Sequence, residues 1–451
     1  MLEKKAVFGI MLACLLIGTL TLVSNVQQVK SEPTTWTVDD DGPADFNTIQ
    51  EAIDAASSRD TIYVKAGTYH EYIVINKILT VIGADKSTTF IDGDKATYVV
   101  TIVENNVMLK GFTIRNGSSA GAGVYVSGCN YSTISDNAII LNDYDGICLE
   151  DSHSNTIKNN TISNNAQAAL DLFNSTSNRI INNTIAFNVD GKGIWPWYSN
   201  ASLIEGNTIL NNDVGVEPWE SYNNIFYHNN FVDNPYWQVD SDMPSNTWDD
   251  GYPSGGNYWN DYNGADNFHG PYQNETGPDG IGDTPYDMTG TRPPFSIGDN
   301  SDKYPLMGPF TMFDAGTWDG VAYHVDVVSN STVSDFIFSA DQKEISFSVS
   351  GLDGTVGFCR VTVPNDLLGG PYDIFVNGFS PLTLNTMPNG DHTFLYFTYG
   401  HGATNLSVTI KGTYAIPEFP SAIILPLLLI LTMLAFILAK RKNRRTHFPI
   451  T

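Results

Sequence analysis

The sequence predicts an all-β chain: a parallel β-helix with an N-terminal capping helix, then a small β-sandwich and a C-terminal transmembrane helix. Three observations carry this. A unit of about 23 residues recurs, with "NAIILN" at Asn137, "NTISNN" at Asn160, "NTIAFN" at Asn183, "NTILNN" at Asn207 and "NFVDN" at Asn230. Each unit holds short stretches of alternating apolar and polar residues, and no run long enough for a helix. Both ends of the chain are strongly apolar.

In chain order, Lys4 and Lys5 precede an apolar run, Ala6 to Val23, the pattern of a secretory signal over 1–31 or of an uncleaved anchor. Residues 45–58, "DFNTIQEAIDAASS", read as a helix: Ile49, Ala52, Ile53 and Ala56 share a face, and Thr48 with Glu51 makes a capping box. Such a helix would cover the open edge of a solenoid. The alternation then runs through 60–93 and 97–128 into the asparagine-rich repeat. Each repeat has an upstream strand such as "NTIKN" and most have a downstream one such as "GICLE", so three strands make one coil. Coils stacked about 4.8 Å apart bring equivalent residues into columns. Asn142, Asn165, Asn188 and Asn212 fall in one column, and Asn137, Asn160, Asn183, Asn207 and Asn230 in another. Both are expected to be structural ladders, because stacked asparagines hydrogen-bond to each other and tolerate tight left-handed turns.

The downstream strands "GVYVS" (123–127), "GICLE" (146–150), "ALDLF" (169–173), "GIWPW" (193–197) and "GVEPW" (215–219) share one phase. Val124, Ile147, Leu170, Ile194 and Val216 should point inward. Two outward columns follow: Tyr125, Cys148, Asp171, Trp195, Glu217, and Ser127, Glu150, Phe173, Trp197, Trp219. Aromatic rings interleaved with carboxylates suit a sugar, whose C–H faces stack on rings and whose hydroxyls donate to carboxylates. Trp195, Trp197, Trp219, Phe173, Glu150 and Tyr125 are the candidate glycan-binding residues. The alternative is that a segment such as 234–253 packs over this face. Asp171 and Glu217, two coils apart or about 9.6 Å, are the candidate catalytic pair of an inverting glycoside hydrolase, whose carboxyls stand roughly 6.5–9.5 Å apart. A third reading is a purely structural envelope component.

"TVDDDGPADFNTIQEAIDAA", "DTIYVKAGTYHE" and "TVIGADKSTTFIDG" resemble the opening of pectin-lyase-like β-helix proteins, pectin methylesterases included. With the asparagine repeat, "GNYWNDYNG" (256–264), "DGIGDTPYDM" (279–288) and "DKYPLM" (302–307) resemble the NosD-like, carbohydrate-binding and sugar-hydrolysis group frequent on archaeal surfaces. The resemblance covers about 34–310 and implies a right-handed parallel β-helix. It does not imply one activity: the esterase motifs "QDT" and "DF" have no counterpart on the central coils, and the outward columns lack the basic residue of a calcium-dependent lyase. NosD implies copper, but the histidines (70, 153, 228, 269, 324, 392, 401, 447) are dispersed, with no His-x-His or methionine-rich cluster. In "ETGPDGIGD", Asp279 and Asp283 are the candidate ligands of a possible calcium; the alternative is a hydrogen-bonded turn. No cofactor is otherwise required.

Residues 311–414 drop the asparagine repeat for longer alternating strands, a β-sandwich stalk. Residues 421–439 are long and apolar enough to span a bilayer, and the basic tail 440–451, opening "KRKNRR", places the bulk of the chain outside. "IPEFPS" before it resembles an archaeal PEF-type sorting signal, whose tail is cut. A net charge of −26 argues against nucleic acid. Cys129, Cys148 and Cys359 outside the signal form no CxxC and no even framework. Nine N-x-S/T sequons, at Asn116, Asn130, Asn159, Asn174, Asn182, Asn200, Asn274, Asn330 and Asn405, are expected by-products of an asparagine- and threonine-rich repeat as much as glycan acceptors.

Overall fold

The computed structural model describes residues 32–188, 191–241, 245–288 and 300–416. The expected signal (1–31), transmembrane segment (421–439) and tail (440–451) lie outside the described residues. Among the described residues, no helix is long and apolar enough to cross a membrane.

The described residues between 35 and 259 form a parallel β-helix of three sheets with nine, nine and eight strands. The alternation of the sequence is the cause. In the first sheet, Ile134, Ile157, Ile180, Ile204 and Phe226 stack in register and are buried. In the second the column is Ile139, Ile162, Ile185, Ile209 and Phe231. In the third it is Val124, Ile147, Leu170, Ile194, Val216 and Val239. Parallel strands need residues of similar shape one coil apart, and the repeat supplies them.

Turning a corner three times per coil leaves buried amides that no strand satisfies. Asparagine ladders take them. Asn160 donates both its backbone N–H and its Nδ2 to Asn183 Oδ1, at 3.0 and 3.1 Å, and Nδ2 also reaches the Ile134 carbonyl at 2.9 Å. The same pattern links Asn137, Asn160, Asn183, Asn207, Asn229 and Asn257. Asn229 therefore takes the place the repeat spacing assigns to Asn230: the coil here is one residue shorter, and Asn230 moves into the strand opposite Thr208. The second ladder runs through Asn142, Asn165, Asn188, Asn212 and Asn234. It accounts for the glycine at one position of four third-sheet coils, Gly123, Gly146, Gly193 and Gly215, whereas the coil between them carries Ala169 there. A Cβ on Gly146 would lie 2.6 Å from the Ala169 carbonyl oxygen and 2.9 Å from Asn165 Nδ2. Two further columns were not foreseen, one mixing Ser132, Asn155, Asn178, Ser202, Asn224 and Asn246, the other Ser152, Ser175, Ser199 and Ser221.

Both ends of the solenoid are closed. The capping helix spans Ile49–Ala55, shorter than 45–58, with Ile49, Ala52 and Ile53 buried. Thr48 accepts the Glu51 amide as expected, and Glu71 accepts those of Ile49 and Gln50. At the far end Trp248 stacks on Phe226 and Trp259 on Phe231, each at 4.3 Å. Their indole N–H groups donate to Asn300 Oδ1 (2.8 Å) and Asp302 Oδ2 (2.9 Å). This accounts for "GNYWNDYNG" and "DKYPLM": they form the plug.

Residues 310–411 form two antiparallel sheets, five-stranded and four-stranded, around a separate core that includes Val325, Phe347, Val361, Phe397 and Ile410. Asn230 pairs with the backbone of Phe310, at 2.8 and 2.7 Å. Arg360, 1 % exposed, leaves this sandwich to donate to the carbonyls of Asp279 (2.7 Å) and Pro253.

Candidate functional site

The third sheet presents the two outward columns as the alternation predicts. Tyr125, Cys148, Asp171 and Trp195 are in register, and the Glu217 amide donates to the Ile194 carbonyl, which places Glu217 next. Ser127, Glu150, Phe173, Trp197 and Trp219 form the other column. The indoles do not turn inward, because Ile194 and Pro196 occupy the interior positions.

The rings make one aromatic surface. Trp195 and Trp197 stack at 5.4 Å, Trp197 and Tyr198 at 5.9 Å, and Phe173 meets Trp197 edge-on at 5.6 Å. Trp219 is 41 % exposed. Further along the sheet Tyr125 stacks on Tyr98 at 4.1 Å and donates to Glu150. Residues 237–239 do not cover the face; they add another strand to its edge, opposite Val214 and Val216. Trp248 is buried in the plug. In the segment 234–253, offered as the alternative cover, the described residues 237–239 thus extend the sheet instead.

The electrostatics centre on Asp171 and on Asp145, which the alternation alone did not single out. Asp145, 3 % exposed, and Asp171 approach each other and Cys148, with one ligand atom from each within 4.8 Å of the others. Burial pushes the Asp145 carboxyl up to about 8, reinforced by Asp171. Burial likewise pushes Asp171 up to about 7, opposed by Lys192 and reinforced by Glu150. The Cys148 thiol is also raised, by burial and then by Asp171. Lys192 ties the face together: its Nζ lies 3.3 Å from Glu217 Oε2 and 4.0 Å from the Trp195 ring centroid. Glu217, 8 % exposed, is therefore an ion-pair partner, and Trp195 stands between it and Asp171 in the column. Asp171 Oδ1, Trp195 Nε1 and Trp197 Nε1 are shielded and have no hydrogen-bond partner. Each such atom left unpaired costs about 1–3 kcal/mol, so three of them on one face call for a reason.

Asp279 and Asp283 do not make a calcium site. Asp283 accepts the amides of Asn267 and Phe268, and Asp279 Oδ1 accepts the amide of Ile281. The carboxylates hold a turn, with the Arg360 guanidinium against the Asp279 carbonyl.

The described structure is a parallel solenoid with satisfied polar corners and one aromatic–acidic sheet, and its coils are similar to those of NosD-like, pectin-lyase-like right-handed β-helix proteins. Residues 53–264 match the model of the family described as periplasmic copper-binding protein (NosD). Pectinesterase 2 of Citrus sinensis is 38% identical over 90 residues, 17% of this chain and 18% of that enzyme, so the chain spans under a fifth of that relative's length. Among solved structures, pectate lyase Pel9A superposes with a TM-score of 0.42 at 15% identity, over 55% of this chain and 73% of that one. Pectin methylesterase PemA from Erwinia chrysanthemi gives 0.32 at 13%, over 46% and 81%.

Copper selects thiolate, thioether and imidazole donors. Among the described residues, the groups able to bring three ligand atoms together are His70/Asp92/Asp94, Asp145/Cys148/Asp171 and Asp39/Asp40/Asp41. Carboxylates dominate all three, and Asp92 is already held by Arg115 and Asn116. These donor sets do not fit copper.

Proposed function

We propose that the chain is an exported surface protein that binds glycan along the third sheet, held at the membrane by 421–439. One observation carries this reading: Trp195, Trp197 and Tyr198 form a continuous stack beside Phe173 and Trp219, on a face that also bears Glu150, Asp171 and Glu217. Pyranose rings stack on such a surface, and hydroxyls reach the carboxylates at its border. The kinship with pectin-acting β-helix proteins agrees with it. A glycan array with the purified chain tests the reading. Hits that weaken in Trp197→Ala support it, and a blank array for folded protein refutes it.

A second reading, hydrolysis on the same face, has a separate observation in its favour. Asp171, with its carboxyl pushed up to about 7 by burial, would hold the proton that a general acid needs. Reducing ends that appear with wild type and vanish in Asp171→Asn would establish it; activity that survives the change removes the assignment.

A further inference from the structure

The sandwich carries a second polar centre outside that face. Ser331, just before strand 332–339, has its Oγ 2.8 Å from His401 Nε2 and 2.7 Å from the Tyr399 hydroxyl. On the other side of the imidazole, Thr355 Oγ1 lies 2.7 Å from Nδ1. Thr355 gives its hydroxyl proton to the Leu352 carbonyl at 2.6 Å. Its oxygen must then accept from Nδ1–H, which leaves the lone pair of a neutral imidazole at Nε2. The Ser331 hydroxyl proton fits that lone pair, and the Tyr399 hydroxyl lies against the same Ser331 oxygen. This is the hydrogen-bond order of an activated hydroxyl: nucleophile, base, orienting group.

The ring is held firmly. His401 is 8 % exposed. A Cβ on Gly351 would stand 2.4 Å from its Cε1 and Nε2, and one on Gly357 2.7 Å from Nε2, so both positions must lack a side chain for the ring to fit. Of the hydroxyl residues around the ring, Ser331 is half-buried and Thr355 exposed. Leu352 and Val356, 78 % and 60 % exposed, flank Thr355 as an apolar lip.

We propose that Ser331 and His401 form a nucleophile–base pair that accepts small acyl esters, with Thr355 as its positioning residue. Ser331 Oγ attacks the acyl carbon as its proton passes to His401 Nε2. The ester C–O bond breaks, and the alcohol leaves with that proton. Water then attacks the acyl-serine, giving one proton to the imidazole; Ser331 recovers a proton as the carboxylic acid is released.

The test uses a fluorophosphonate on the full chain, read by peptide mass spectrometry. Here Oγ–P forms, P–F breaks and fluoride leaves. The expected result is a stoichiometric adduct on Ser331, absent in Ser331→Ala and formed about 10²-fold more slowly in His401→Gln, the usual share of a general base. p-Nitrophenyl butyrate hydrolysis should fall in parallel. A network that only pins strands together gives no adduct, and no adduct on folded wild type overturns the proposal. So does an unchanged labelling rate in His401→Gln. Should that variant not fold, Thr355→Val, at an exposed position, decides: slower labelling supports the pair and an unchanged rate overturns it.

Discussion

The ladder corners and the aromatic face are both columns of like residues stacked one coil apart, yet their polar atoms fare differently. At the corner, Asn183 receives two bonds on Oδ1, from the amide and Nδ2 of Asn160, and gives two from Nδ2, to Asn207 Oδ1 and the Ile157 carbonyl. On the face, Asp171 Oδ1 and two indole N–H groups receive and give nothing. A repeat that satisfies each buried group builds a rod. One sheet of the same rod leaves groups unsatisfied, and those are free to answer to something else.

The largest effect should come from breaking the satisfied column. Asn183→Leu removes the acceptor of two bonds, leaving the buried Asn160 amide without one, and removes the donor to Asn207. A loss of about 3–5 kcal/mol is expected, read as a lower urea midpoint. Trp197→Ala should act on the other column, weakening glycan binding by about 10-fold, or roughly 1.4 kcal/mol, with circular dichroism unchanged. A binding curve identical to wild type would dissolve the contrast.

Asp145→Asn sharpens it through pH. The folded Asp145 carboxyl keeps its proton up to about 8, whereas an unfolded aspartate releases it near about 3.9. Between those values the folded state binds more protons, so stability falls as pH rises. Wild type should lose more Tm between pH 5 and pH 8 than the variant, in which that group no longer titrates. The smallest effect belongs to the solvent-facing asparagines. Asn159 is exposed and bonded only to the exposed Asn182 and Asp136 in side-chain contacts, and Asn159→Ala should cost about 1 kcal/mol, set by its left-handed φ of 57° rather than by lost contacts.

The phase of the third sheet was legible because its interior column is uniformly apolar; a one-residue slip would have buried Asp171 and Trp195. The asparagine ladder was legible for as long as coils kept their length. It failed at Asn229, where "HNNFVDN" offers two adjacent asparagines and the shorter coil selects the first. The mixed column through Ser132, Asn155, Asn178 and Ser202 went unseen because its identity alternates, although any short side chain with an oxygen acceptor can take the next amide. Asp145 escaped because it stands three residues before Cys148, at the corner rather than in the strand alternation, and only the turn of the coil brings it to Asp171. Asp279 and Asp283 misled because a carboxylate that holds backbone amides looks, in sequence, like one that awaits a cation.

Arg360 has a mechanical consequence. Its side chain is rooted in the sandwich and grips the backbone at Asp279 and Pro253 across the junction, while Asn230 clasps Phe310 nearby. Tension applied at the C-terminal end would meet several bonds loaded side by side before reaching a coil. A load on the third sheet would likewise pass into the sandwich through those bonds, with little slack between the two.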